Sequence, residues 1–208
     1  YAVIAMDLEN PLGKLSGFLS MTTMVSSKCR GQSLFTKLAE RVYAKIEQQG
    51  EAAVVFGFPN DNSAPGFQKR LAWEISEEYR VISFTPKNIG YVKNLLESID
   101  LSNAFTLNMG DKSIAQWRTE KPNQTWTYVD GIGLKKFEDS IDLMHLATPE
   151  KIGIVDKYQK INMLLPVTEA FIEQSGCTVS FPYRFGFKLI NTKSAPSIFV
   201  QMSLSDVF

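Results

Sequence analysis

One histidine and two cysteines in 208 residues leave little material for the common metal and nucleophile chemistries. A zinc site of the usual His/Cys kind is hard to assemble from His145, Cys29 and Cys177, so no metal is expected. Two cysteines make no disulfide framework, and a reduced, cytoplasmic location is expected. A Ser-His-Asp hydrolase would rest on His145 alone, and no Gly-x-Ser-x-Gly elbow is present. An excess of one charge is missing too. Twenty-two Lys and Arg balance twenty-two Asp and Glu, so no overall field draws the chain to nucleic acid or to an anionic membrane. Apolar runs such as Met163-Leu-Leu-Pro-Val167 fall far short of a bilayer span. No charged segment precedes the opening Ala2-Val-Ile-Ala-Met6, so no signal peptide is visible; further residues of the same sheet are expected before Tyr1, and further chain after Phe208.

What remains is ordinary globular material, 44% hydrophobic, enough for one large domain or two small ones. Residues 1–8 and 17–26 read as strands joined by the turn Glu9-Asn-Pro-Leu-Gly13. Leu34, Leu38, Val42 and Ile46 then recur every four residues, which predicts a helix ending near Gly50. Residues 52–58 form a short continuous apolar run, the pattern of a buried strand. Pro65 sits near the first position of a helix predicted over 64–73, and residues 79–84 read as another strand. Strand–helix alternation of this kind implies an α/β (α+β) fold, a mixed twisted sheet flanked by helices. The break Thr85-Pro-Lys-Asn-Ile-Gly90 divides the chain into a first unit, 1–86, and a second α+β lobe, 87–208. In that second part helices are predicted over 89–99 and 114–118. Strands are predicted over 126–129, 134–137, 184–190 and 198–202. Residues 158–175 read as one amphipathic helix kinked or divided by Pro166.

The stretch richest in chemistry is Ser20-Met-Thr-Thr-Met-Val-Ser-Ser-Lys-Cys-Arg-Gly-Gln-Ser-Leu-Phe35. An apolar strand runs into a basic turn containing glycine, and an amphipathic helix leaves it at once. Amides at such a helix start lack intrahelical acceptors and sit at the positive end of the helix dipole, which suits a pyrophosphate. A plain strand–turn–helix with solvated Lys28 and Arg30 reads equally well from the turn alone.

Taken with Gly57-Phe-Pro-Asn-Asp-Asn-Ser63 and Gly66-Phe-Gln-Lys-Arg-Leu-Ala-Trp73, the stretch resembles the core of the GNAT superfamily, the acyl-CoA-dependent N-acyltransferases. It is most similar to bacterial two-lobed members whose second strand ends in Gly-Phe-Pro-Asn. The likeness covers residues 1–86 well. It extends more weakly to Trp117-Arg-Thr-Glu-Lys-Pro122, Tyr128 and Leu204-Ser-Asp-Val-Phe208. The resemblance implies acetyl-CoA as co-substrate and a small amine as acceptor, with an amino sugar as the example. It also implies a CoA site made by Thr23, Met24, Val25, Arg30, Gly31, Gln32, Ser33, Leu34 and Phe35. The backbone amides of Met24 and Val25 would polarise the thioester carbonyl. Asn60 or Asn62 would take the family's asparagine role, or else an Asx-turn and helix-cap role. Two positions depart from the family pattern. Ser33 replaces the usual central glycine, and Gln68 stands where many members carry a tyrosine general acid. The alternative is a GNAT-fold protein that binds acyl-CoA or another ligand without turnover.

Several other side chains carry two readings each. His145 suits proton transfer or a core role. Asp142 and Glu138 could line an acceptor pocket or face solvent. Trp117, Arg118, Trp126 and Tyr128 could stack on a sugar or cover the sheet. Arg184 could face a ligand or solvent, and Cys29 has basic neighbours but no evident partner.

Overall fold

The computed structural model describes residues 1–208 apart from Thr22, Arg30, Asp100 and 123–125. The elements in chain order are β1 (Val3–Ala5), β2 (Leu8–Asn10), β3 (Gly13–Ser20), α1 (Leu34–Glu47), β4 (Ala53–Gly57), α2 (Ala64–Leu71), β5 (Glu74–Ser76) and β6 (Tyr79–Phe84). They continue with α3 (Ile89–Ser98), β7 (Thr106–Leu107), α4 (Lys112–Thr119), β8 (Thr127–Val129), β9 (Ile132–Phe137), β10 (Ser140–Leu146), β11 (Ile161–Pro166), α5 (Glu169–Ser175), β12 (Thr178–Pro182) and β13 (Phe185–Ile190). Short 3₁₀ turns occupy Ser27–Cys29, Pro86–Asn88, Pro149–Lys157 and Met202–Leu204.

Two mixed sheets result. The first runs β5-β13-β4-β3-β2-β7, with β1 also on β3, and the second runs β12-β6-β11-β10-β9-β8. Alternation along β4 shows how the sheets stack. Val54 and Phe56 point into a core shared with Val81, Met144 and Leu164 of the second sheet and Leu204 of the last 3₁₀ turn. Ala53 and Val55 point the other way, against Ala39, Tyr43 and Ile46 of α1 and Phe67 of α2. Being buried on both faces is what makes 53–56 a continuous apolar run. On the outer face of the second sheet, Ile82, Phe84, Ile161, Met163 and Leu165 pack on Val92 and Leu96 of α3. The layers are therefore helix, sheet, sheet, helix.

Chain order and sheet membership do not divide at residue 86. β6 lies in the second sheet, while β7 and β13 lie in the first, where β13 pairs antiparallel with β4 and β5. The two units expected at 1–86 and 87–208 thus exchange strands.

Three further expectations change. The hairpin exists, but its turn is tighter, with Asn10 Oδ1 accepting from the amides of Leu12 and Gly13, both at 2.9 Å. Its second strand therefore spans 13–20 rather than 17–26. Residues 158–175 do not form a divided helix: 161–166 is a strand between β10 and β6, and only 169–175 is helical. A run buried on both faces carries no period-two signal, so Ile161-Asn-Met-Leu-Leu165 reads as either element from sequence. Residues 198–202 make one parallel bridge, Phe105 to Ile198, and then a 3₁₀ turn. No helix among the described residues is long and apolar enough to cross a membrane.

Candidate functional site

β3 and β4 run parallel, paired from Ser16–Ala53 to Leu19–Phe56, and then part. Each is pulled aside by its own neighbours. Met21 donates its amide to Ala2 carbonyl at 3.0 Å, drawing the exit of β3 towards β1. Phe58 stacks on Tyr183 with centroids 4.8 Å apart and lies 5.7 Å from Phe185, drawing the exit of β4 towards β13. Pro59 then offers no amide with which to continue a ladder. The opening is a cavity of about 240 Å³ lined by Ser20, Met21 and Thr23 on one side and Gly57, Phe58 and Asn60 on the other.

Aromatic packing fixes its floor. Trp73 Nε1 donates to Tyr43 Oη at 3.0 Å, and Tyr43 Oη also lies 2.9 Å from Tyr1 Oη. Phe67 lies 4.4 Å from the Trp73 ring and 5.1 Å from Phe35. The helix predicted to reach residue 73 stops at Leu71, because Ala72 is left-handed (φ 54°) and turns Trp73 into the core.

Two further cavities join this gap. One of about 410 Å³ shares Thr23, Ser63 and Phe67 with it and continues past Val25, Phe35 and Asn62 to Lys69 and Arg70 of α2. The other, of about 510 Å³, shares Met21 and Asp206 and runs beneath α4 past Trp117, Arg118 and Lys121. The three make a track across the ends of the parted strands. A larger cavity, about 970 Å³, lies at the opposite, hairpin end of the sheet, among Glu9, Asn10, Tyr128 and His145. The track, and not this cavity, lies where the paired strands β3 and β4 part, which makes it the better candidate.

The expected site residues distribute unevenly along the track. Thr23 lines the gap, and Val25 and Phe35 line its α2 side. Met24 points outward, with 85% of its surface exposed, and lines none of the three cavities. Residues 23–26 form no strand, so the amides of Met24 and Val25 are not held by a ladder as the strand reading required. Thr23-Met-Val25 has strand propensity, but β4 has diverged before it and these residues join no ladder. Arg30 lies outside the described residues. Gly31, Gln32 and Ser33 are exposed at the head of α1, and Leu34 opens the helix. That helix has no side-chain cap and no acidic residue in its first turn. Amides 34–36 therefore face outward without intrahelical acceptors.

Ser33 is left-handed, φ 57° and ψ 24°, and Gly31 has φ 82°. The backbone explains why glycine suits position 33. A left-handed residue other than glycine costs about 1–2 kcal/mol. Replacing Ser33 by valine should therefore lower the melting temperature by several degrees, whereas Ser33→Gly should not lower it; thermal melts of both variants check this. An equal response to the two would mean that the corner relaxes away from φ 57° in solution.

Asn60 lines the gap, but its Oδ1 already accepts from the amides of Asn62 (3.1 Å) and Ser63 (3.0 Å), so it forms the turn that starts α2. Gln68 is exposed and lines none of the three cavities. His145 is buried, 3.1 Å from Ser203 Oγ through Nδ1, and burial holds its pKa down to about 4. Asp142 pairs with Lys135 at 3.6 Å and accepts from Asn162 at 2.8 Å, while Glu138 sits left-handed in the β9–β10 turn. Arg184 pairs with Asp61 and Glu77. Trp126 is core, and both cysteines are free thiols. Among the described residues no group of three or more His, Cys, Asp or Glu side chains could hold a metal ion.

Sequence reasoning did not single out Lys69, Arg70 or Asp206 as site residues. The first two were legible as basic positions in the last turn of α2. Asp206 reaches the gap from the far end of the chain, and no local pattern marks it.

No protein-family model and no curated protein matches the chain. Solved structures do. A GCN5-related N-acetyltransferase from Kribbella flavida aligns with TM-score 0.59 at 10% identity, over 91% of this chain and 56% of its own. A second, from Anabaena variabilis, aligns with TM-score 0.59 at 13% identity, over 92% of this chain and 59% of its own. The chain thus spans a little over half the length of these proteins. Its two mixed sheets flanked by helices, with parallel strands parting beside an uncapped helix start, give this protein the fold of the GCN5-related N-acetyltransferases.

Proposed function

We propose that the chain is an N-acyltransferase that takes its acyl group from acyl-CoA, with acetyl-CoA as the default donor and a small amine as acceptor. The observation that carries this reading is the parting of β3 and β4 beside the uncapped start of α1. The residues fit the donor on two counts. Outward amides at a helix start without carboxylates suit a diphosphate, with Lys69 and Arg70 within the adjoining cavity. Gly57 leaves the gap open, since a Cβ there would stand at contact distance, 3.4 Å from both Ser20 Cβ and its carbonyl oxygen, and a longer side chain would have to extend into the gap.

The chain's own contribution is chiefly positioning. The aromatic floor of Phe67 and Trp73 keeps water from one side of the gap. Asp206 lines both the gap and the cavity beneath α4, the junction where an amine would meet the acyl carbon, and its carboxylate can accept the amine's proton. The nitrogen–carbon bond forms as the carbon–sulfur bond breaks, and the thiol leaves with a proton. No tyrosine is among the described residues lining the gap, which favours one second reading: binding of acyl-CoA without turnover.

Two measurements separate these. CoA should raise the melting temperature by linkage. Thiol release from acetyl-CoA should then depend on added amine across a broad amine panel. A shift without amine-dependent release would select the binding-only reading, and no shift at all would remove both.

A further inference from the structure

The cavity beneath α4 carries a charge arrangement that the acyltransferase reading does not require. Arg118 is 2% exposed, and its Nη2 donates to Ser205 carbonyl at 2.6 Å while its Nε has no hydrogen-bond partner. Its guanidinium carbon lies 5.3 Å from the Trp117 ring centroid. Lys121, three residues on, lines the same cavity and donates to Asp206 carbonyl. The two cations oppose each other: burial and the Arg118 charge both push the Lys121 pKa down, burial holds Arg118 at about 10, and Asp206 offsets part of this for both. Two carboxylates share the cavity. Glu120 is turned back along α4 to accept from Gln116 at 3.0 Å, and Asp206 stands at the junction with the strand gap.

A buried guanidinium with an unpaired N–H is costly unless something anionic completes it. Resting on the acyltransferase reading, we propose that the acceptor is a zwitterion: an amine that also carries a carboxylate or phosphate group. The anionic group lies against the Arg118 guanidinium and Lys121 on the cavity wall, and the amine points to Asp206 and the strand gap. Trp117, 42% exposed on the cavity wall, offers a flat face for the body of such a molecule. Two cations that Asp206 alone offsets would then gain an anionic partner, while the cationic end of the molecule takes Asp206.

A probe series sharing one amino-sugar body tests this: glucosamine, which has no anionic group, glucosamine 6-phosphate and muramic acid, which carries a carboxylate. Calorimetric titration of the whole chain without acyl-CoA should show at least one anionic probe binding about tenfold or more tighter than glucosamine. Whether the phosphate or the carboxylate probe is preferred identifies the group. The preference should weaken with salt and fall close to unity in Lys121→Gln, and in Arg118→Gln where that variant folds. Equal affinity for all three probes, no binding of either anionic probe, or a preference unchanged in Lys121→Gln would each overturn the proposal. Because donor and turnover are absent from this titration, its failure is separate from failure of the acyltransferase reading. Amine-dependent thiol release with neutral amines would leave that reading intact while the zwitterion proposal fell.

Discussion

Gly57→Leu is expected to abolish acyl-CoA binding while leaving a folded protein. Gly57 is the last residue of β4, paired with Gly186 of β13, and its missing side chain faces the gap. A Cβ there meets Ser20 at 3.4 Å and Trp73 Cη2 at 3.6 Å, which is ordinary contact, so Gly57→Ala should fold and bind nearly as the parent does. Leucine has to extend further into a cavity of about 240 Å³, the space a ligand would thread. Overpacking of this kind costs about 1–3 kcal/mol of stability. Excluding a ligand from the gap should cost more in binding, about 100-fold or beyond in Kd. Titration of CoA against the parent, alanine and leucine proteins checks the order. Leucine and parent binding CoA equally would place the donor somewhere other than between β3 and β4.

The second large effect is acid sensitivity set by His145. The imidazole is 2% exposed, packed edge-on to Tyr128 with ring centroids 5.6 Å apart, and bonded to Ser203. Burial disfavours the imidazolium, so the folded pKa falls from 6.5 to about 4. Between these values the unfolded chain binds the extra proton. The stability is therefore fully present above the unfolded pKa and is lost as pH falls towards the folded one. The whole shift is worth about 3 kcal/mol, a drop of roughly 6–12 °C in melting temperature for a chain of this size. His145→Gln keeps a polar partner for Ser203 and removes the titration. Its deficit against the parent at neutral pH should shrink by about that amount near pH 4. Parallel melting curves for the two proteins from pH 7 to pH 4 would show that the histidine is not the sensitive group.

His145 also shows why a chemically apt residue need not be functional. Its residue type suits proton transfer, and the sequence left both roles open. Burial among Leu143, Met144 and Leu146 on β10 gives it a packing role in the second sheet. Asp142 follows the same course, since its carboxylate is used by Lys135 and Asn162. The candidate site was legible to a comparable extent. The open corner at residues 31–34, the wall residue Phe35 and the turn made by Asn60 follow from short-range rules: helix amphipathicity, turn chemistry and capping. Met24 faces away from the track and Val25 reaches its wall without belonging to a strand, because their placement depends on whether a strand 30 residues away is still alongside. Arg118 and Asp206 meet across 88 residues, which no spacing pattern encodes.

The same division runs through the fold. Sequence alone determined that α1 is a helix, the buried run of β4, and the hairpin closed by Asn10 and Gly13, whereas the face of α1 turned inward is Ala39, Tyr43 and Ile46 rather than the expected row through Leu38, which is exposed. Each of these is specified within a few residues by periodicity or turn geometry. Tertiary structure alone decided that 161–166 is a strand, that β13 returns to pair with β4, and that β3 stops at Ser20. Those outcomes depend on which distant backbone supplies the hydrogen bonds, and a buried amide must find its partner wherever the rest of the chain places one.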